Sequence, residues 1–101
     1  MERADTYDEE FKQNNFAEKP LAIGDYEKCR FENCNFSCDL SKIVFIDCSF
    51  SACDFSNAKL NDTAFRNVQF TDCKMLGLHF ENCNTFLIEM SFDNCVLNHS
   101  S

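Results

Sequence analysis

Large apolar residues recur every five positions through most of this chain. From Phe31 they run Phe31, Phe36, then after one four-residue step Leu40, Phe45, Phe50, Phe55, Leu60, Phe65, Phe70, Met75 and Phe80. Each of these centres, position i, follows a small or medium residue at i−2: Cys29, Cys34, Cys38, Ile43, Cys48, Cys53, Ala58, Thr63, Val68, Cys73 and Leu78. Inward residues at i−2 and i, with a polar-tending residue between them, fit the two-residue side-chain period of extended backbone. Three outward positions then separate one inward pair from the next. The backbone must turn a corner at each repeat, and four corners close a square coil of about twenty residues.

Residues about twenty apart therefore stack, and columns of like residues follow. One column reads Phe31, Phe50, Phe70, Met90; a second Phe36, Phe55, Met75; a third Leu40, Leu60, Phe80; a fourth Tyr26, Phe45, Phe65, Thr85. The small positions align too, with Cys34, Cys53 and Cys73 in one column and Cys29, Cys48, Val68 and Ile88 in another. After Thr85 and Met90 the phase slips by two and resumes as Met90 and Phe92, then Cys95 and Leu97.

The units Cys-Asn-Phe at 34–36, Cys-Asp-Leu at 38–40, Cys-Asp-Phe at 53–55 and Ala-Lys-Leu at 58–60 resemble those of the pentapeptide-repeat family, over residues 24–97. The resemblance implies an all-β, right-handed quadrilateral β-helix with Phe or Leu filling its interior, here of about 3.5 to 4 coils. This chain prefers Cys to Ala at i−2, a mild exchange because a free Cys packs as a small hydrophobe.

Residues 24–101 form the expected β-helix, and residues 1–23 a cap or lead-in segment. Thr6 as N-cap, Asp8, Glu9 and Glu10 in the first turn, and Tyr7 four residues before Phe11 predict a short helix over Thr6–Asn14. Pro20 ends any helix before it, and Phe16, Leu21 and Ile23 then lead into the first coil. The final residues run toward a next centre at the position after Ser101, so the chain stops in mid-repeat. Either it is a piece of a longer β-helix or two copies bury the open end against each other, as a homodimer through the uncapped C-terminal coil. The family resemblance makes both plausible.

Composition agrees with a small solenoid. The 101 residues include 12 Phe, no Trp, two Gly and one Pro, too little Gly and Pro for a fold built on tight hairpins. Each buried ring contributes about 2–3 kcal/mol. No apolar run is long enough to span a membrane and the N-terminus carries no apolar signal stretch, so the expected address is cytoplasmic.

The eight cysteines have no Cys-x-x-Cys pair and no Cys/His finger spacing, which leaves no metal site and no cofactor to expect. Stacked pairs such as Cys34 and Cys53 lie about 4.8 Å apart with parallel side chains, farther than the roughly 3.8 Å between Cβ atoms that a disulfide prefers. Reduced thiols in a reducing compartment fit better. His79 is an outward residue and His99 lies in the tail, with no serine, cysteine or carboxylate at triad spacing beside either. No catalytic residue is identified, and no enzyme is expected.

Function then rests on surface and charge. The formal charge is −8, and residues 1–23 hold three of it, with six acids against three bases. The family resemblance implies one reading: acidic members that resist quinolones or inhibit gyrase imitate duplex DNA, so this chain would occupy a topoisomerase's cationic groove without itself binding nucleic acid. Phe31 to Leu60 is similar to that quinolone-resistance branch. Against it, Asp25, Glu27 and Asp47 meet Lys28 and Arg66, while Asp39, Asp62 and Glu81 meet Lys42 and Lys59, which spreads rather than concentrates the charge. The preferred reading is a structural or protein-interaction scaffold. One face supports it: Val44, Ile46, Ala64, Phe86 and Leu87 all fall at outward positions beside the column of Phe45, Phe65 and Thr85. Such a cluster marks a partner surface or the docking place of residues 6–23.

Overall fold

The structure, a computed structural model, describes residues 4–83 and 89–97. Nine short strands follow one another along the chain: β1 (Ala4–Tyr7), β2 (Glu10–Lys12), β3 (Gly24–Glu27), β4 (Arg30–Glu32), β5 (Val44–Ile46), β6 (Ser49–Ser51), β7 (Ala64–Arg66), β8 (Val68–Thr71) and β9 (Met90–Asp93). All pair in parallel, in two sheets of order β1-β3-β5-β7 and β2-β4-β6-β8-β9. The other two walls of the square are held by single bridges, Asn15↔Asn35↔Asp54↔Lys74↔Val96 on one and Asp39↔Lys59 on the next. The chain is thus a square parallel β-solenoid of about four turns, as the five-residue period predicts.

From Tyr26 to Met75 the predicted columns are the observed core. Tyr26 pairs with Phe45 and Phe45 with Phe65; Phe31 pairs with Phe50 and Phe50 with Phe70. Nineteen residues separate Phe31 from Phe50 and twenty separate Phe50 from Phe70, so the four-residue step shortens one coil and is then absorbed. Phe31, Phe36, Leu40, Phe45 and Phe70 have no exposed surface. Above Phe70 the step lengthens to twenty-two, so Phe92, not Met90, continues the Phe column, and Met90 lies over Val68 in the place expected for Ile88. Ile88 and Thr85 themselves lie outside the described residues.

The helix expected over Thr6–Asn14 does not form. β1 and β2 occupy that stretch and pair with β3 and β4, with Thr6 opposite Tyr26 and Phe11 opposite Phe31. The N–H groups of Asp8, Gln13 and Phe16 donate to the carbonyls of Glu27, Glu32 and Asn35, each at 2.9 Å. A helix would abandon this ladder and lift Phe11 from Phe31, whose rings stack at 4.8 Å; local capping signals are worth about 1 kcal/mol and lose to it. Thr6, Phe11, Phe16 and Leu21 are in fact five apart. What hid them is the company they keep: Glu9, Asn14 and Lys19 stand at i−2, where higher coils place Cys29 and Cys34, and all three are exposed. The first coil is thus a repeat whose i−2 positions are polar.

The corners obey one rule. Every described residue with positive φ lies two positions after a centre, among them Asn33 (54°), Asp47 (53°), Asn57 (60°), Asn67 (53°), Asp72 (53°) and Asn94 (54°). Asn and Asp tolerate this left-handed geometry better than other side chains, which is how the chain turns so often with two glycines. Gly77 (φ 69°) is the one position where the smaller residue is required, because a Cβ there would meet Asn57 Oδ1 at 2.4 Å. Asn side chains also link corners between coils, Asn67 donating to Asp47 at 2.7 Å and Asn94 to Asp72.

Ala52 (φ 53°) occupies such a corner without an Asn or Asp side chain, standing between Asn33 below and Asp72 above. Ala52→Asn should relieve about 1 kcal/mol of left-handed strain and raise Tm by about 4–8 °C, while Ala52→Val should lower it. A thermal melt followed by circular dichroism reads both, and a lower Tm for Ala52→Asn would contradict the corner geometry.

Candidate interaction surface

Side chains alternate across each strand, so β5 turns Phe45 inward and Val44 and Ile46 outward. Parallel pairing then sets Val44 beside Ala64 of β7, and Ile46 beside Arg66. Val44 and Ile46 are half-buried and Ala64 is 6% exposed. The structure brings these three predicted residues onto one sheet; Phe86 and Leu87 lie outside the described residues. Below the cluster the same sheet carries Asp25 opposite Val44 and Glu27 opposite Ile46, so an acidic step borders the apolar one. Farther down, Tyr7 is 58% exposed and the Lys28 ammonium lies 5.6 Å from its ring centre. Its hydrogen bond to Tyr7 holds the Lys28 ammonium above its ordinary pKa. Sequence reasoning missed Tyr7 because it had been placed on a helix.

The neighbouring sheet is polar. Glu10 bonds Lys12 at 3.0 Å and Arg30 at 3.3 Å, and Lys12 reaches Glu32 at 3.9 Å. The Lys12 hydrogen bond and charge hold the Glu10 carboxyl below the usual carboxylate range, and Glu10 in turn raises Lys12. All these groups are exposed, so the pairs add little stability. Above them stand Ser49, Ser51, Gln69 and Thr71, without charge.

On the bridge wall, Asp39 accepts the Ser41 N–H at 2.9 Å, and its hydrogen bonds to Ser41 together with the charge of Lys59 lower its pKa. A shallow hollow of about 410 Å³ opens where the long coil begins, lined by Asn57, Lys59, Asn61, Gly77, His79 and Asn82. His79 is exposed there and its Nδ1 lies 3.1 Å from Glu81 Oε1. His99 lies outside the described residues.

Inside, the cysteines do more than fill space. Cys48 donates its S–H toward Tyr26 O (3.1 Å) and Ile46 O (3.4 Å); Cys53 does so toward Phe31 O and Ser51 O, and Cys73 toward Phe50 O and Thr71 O, all at 3.4 Å. In each case the first acceptor is the centre carbonyl at the corner of the coil below. Thr63 serves the same purpose with its hydroxyl, 2.7 Å from Leu40 O. An alanine at i−2 leaves these acceptors without a side-chain donor. All eight cysteines are free. Among the described residues no group of three or more His, Cys, Asp or Glu is placed to hold a metal ion.

The sequence profile of the pentapeptide repeat region matches residues 24–101. The chain belongs to the pentapeptide-repeat family. No curated protein matches this pentapeptide-repeat chain by sequence. Among solved structures it is similar to trypsin-treated QnrB1, a plasmid-mediated fluoroquinolone resistance protein, with a TM-score of 0.67 and 18% identity over 94% of this chain and 49% of that one. Full-length QnrB1 gives a TM-score of 0.55 at 20% identity, covering 93% and 58%. The pentapeptide-repeat chain thus spans about half the length of the QnrB1 chains it matches, and at these identities the likeness establishes the fold alone. No helix among the described residues is long and apolar enough to cross a membrane.

Burial drives two core thiols of this pentapeptide-repeat chain to hold their protons: Cys48 is pushed up to about 12 and Cys83 to about 11. An unfolded thiol ionises near pH 8.5. Below that pH both states are protonated and stability is unaffected; above it only the unfolded state has lost the proton, so stability falls as pH rises. Each such thiol removes about 1.4 kcal/mol per pH unit until the folded thiol itself ionises. Urea unfolding at pH 8 and pH 10 should show this loss, and Cys48→Ala should reduce its slope by one thiol's share. An unaltered slope would contradict the dry setting of Cys48.

Proposed function

We propose that this chain is a non-enzymatic protein-interaction module of a reducing, cytoplasmic setting. The observation that carries the reading is the apolar step on the first sheet, where Val44 and Ile46 occupy outward positions that solvent-facing strands fill with polar residues. The interior supports it as well. Ring ladders and thiols fill the square, so chemistry is left to the outer walls. Free thiols at all eight cysteines suit a reducing compartment. The partner is a protein, and the patch centres on Val44 and Ile46, with Ala64 beside Val44.

A photo-cross-linking side chain at position 46 should capture a discrete partner, or a second copy, and one at Ser51 on the polar sheet should not. With the cross-linker kept at position 46, Val44→Asp should abolish that capture without lowering Tm by more than a few degrees. Equal yields from both positions would overturn the patch.

The second reading is an acidic mimic of duplex DNA that binds a type II topoisomerase and modulates quinolone action. The formal charge of −8 and the fold shared with QnrB1 favour it. Two copies joined through the C-terminal coil, where Phe92, Val96 and Leu97 are 40%, 47% and 39% exposed, would lengthen the rod toward a duplex. Titrated into a gyrase supercoiling assay, such a mimic should inhibit, or protect against a quinolone, in a way that fades between low and high salt. No effect at high micromolar protein would exclude it.

A further inference from the structure

Four thiols form one axial column. The registers Glu32↔Ser51 and Asn35↔Asp54 set Cys53 over Cys34; Ser51↔Thr71 and Asp54↔Lys74 set Cys73 over Cys53; Thr71↔Asp93 and Lys74↔Val96 set Cys95 over Cys73. We infer that Cys73 and Cys95, the upper pair of this column, bind one soft divalent metal ion that takes two sulfur ligands in line, the mercuric ion being the chemical example.

Spacing is the first reason. Neighbouring strands stand about 4.8 Å apart, and two metal–thiolate bonds of about 2.3 Å laid end to end span about 4.6 Å. The two bonds take the place of the hydrogen bond between the Cys73 and Cys95 side chains. Geometry also selects against zinc, which asks for four ligands arranged as a tetrahedron; among the described residues no third and fourth donor converge here.

Charge is the second reason. Cys73 Sγ lies 3.4 Å from the carbonyl oxygens of Phe50 and Thr71, and Cys95 Sγ lies 3.4 Å from that of Phe70 and 3.5 Å from that of Asp93. These four oxygens oppose a bare thiolate. With a divalent ion, two S–H bonds break, two metal–sulfur bonds form, two protons leave to solvent and no electron is transferred. The product is neutral, as a buried site demands, whereas a monovalent ion would leave one net negative charge facing the same carbonyls. Access is the third reason. Cys34, Cys53 and Cys73 are each 2% exposed, but Cys95 is only partly buried and gives the column a mouth.

The test is a mercuric chloride titration of the full reduced chain in weak buffer, followed by sulfur-to-metal charge-transfer absorbance, proton release and thermal melting. The first equivalent should release two protons, protect Cys95 from iodoacetamide and raise Tm. Cys73→Ala and Cys95→Ser should each reduce that release to one proton. Alanine is tolerated at this position, as Ala58 shows, and circular dichroism checks the fold of each variant. Cys83→Ala should titrate as wild type, and zinc should bind at least a hundredfold more weakly. A single proton from the first equivalent, a Tm that falls on binding it, or zinc binding as tight as mercury would overturn the assignment.

Discussion

Everything in this molecule depends on one coincidence of length: the distance at which aromatic rings stack is the distance at which parallel strands pair. Phe11, Phe31, Phe50, Phe70 and Phe92 follow one another at 4.8, 4.8, 5.1 and 5.2 Å, with ring planes within 11°, against a strand spacing of about 4.8 Å. Ladder bonds and ring stacking are therefore satisfied by the same translation, and neither strains the other. Within a coil the rings meet edge to face, as Phe31 and Phe36 do at 5.3 Å and 74°, the other favourable arrangement for aromatic quadrupoles. Any slip of one residue would turn a whole column outward, so the ladder also fixes the register that places every surface residue.

That rigid interior has consequences at the corners and on the walls. Most turns after an inward pair use a left-handed residue, and Asn or Asp in that place leaves polar side chains aligned up the edges, where Asn67 meets Asp47 and Asn94 meets Asp72. The walls carry what the interior cannot. Charge gathers on the lower coils, in the Glu10, Lys12, Arg30 and Glu32 set, and gives way higher up to Val44 and Ile46 on one sheet and to Ser49, Ser51 and Thr71 on the next.

Much of this was legible in the chain itself. Period, inward pairs and the columns from Tyr26 to Met75 appear as predicted, because the ladder repeats the same local arithmetic in every coil. The outward turn of Val44 and Ile46 followed from the same alternation, whereas the burial of Ala64 at a position expected to face outward did not. The first coil was not legible as a coil: Thr6 reads as a helix cap and Tyr7 with Phe11 as a helical pair, while Glu9 and Asn14 mask the i−2 position. The thiol-to-carbonyl bonds of Cys48, Cys53 and Cys73 were hidden as well, since their acceptors lie 22 or 23 residues away in the coil beneath.

By itself, then, the sequence determined the square cross-section and the inward faces, because a five-residue period with large centres permits extended backbone and one kind of corner. Tertiary structure alone decided how the ends join it. Ala4–Tyr7 and Glu10–Lys12 become strands because the edges of Gly24–Glu27 and Arg30–Glu32 offer them a ladder, and Phe92 displaces Met90 over Phe70 because a coil of twenty-two residues still has to return its largest ring to the stack.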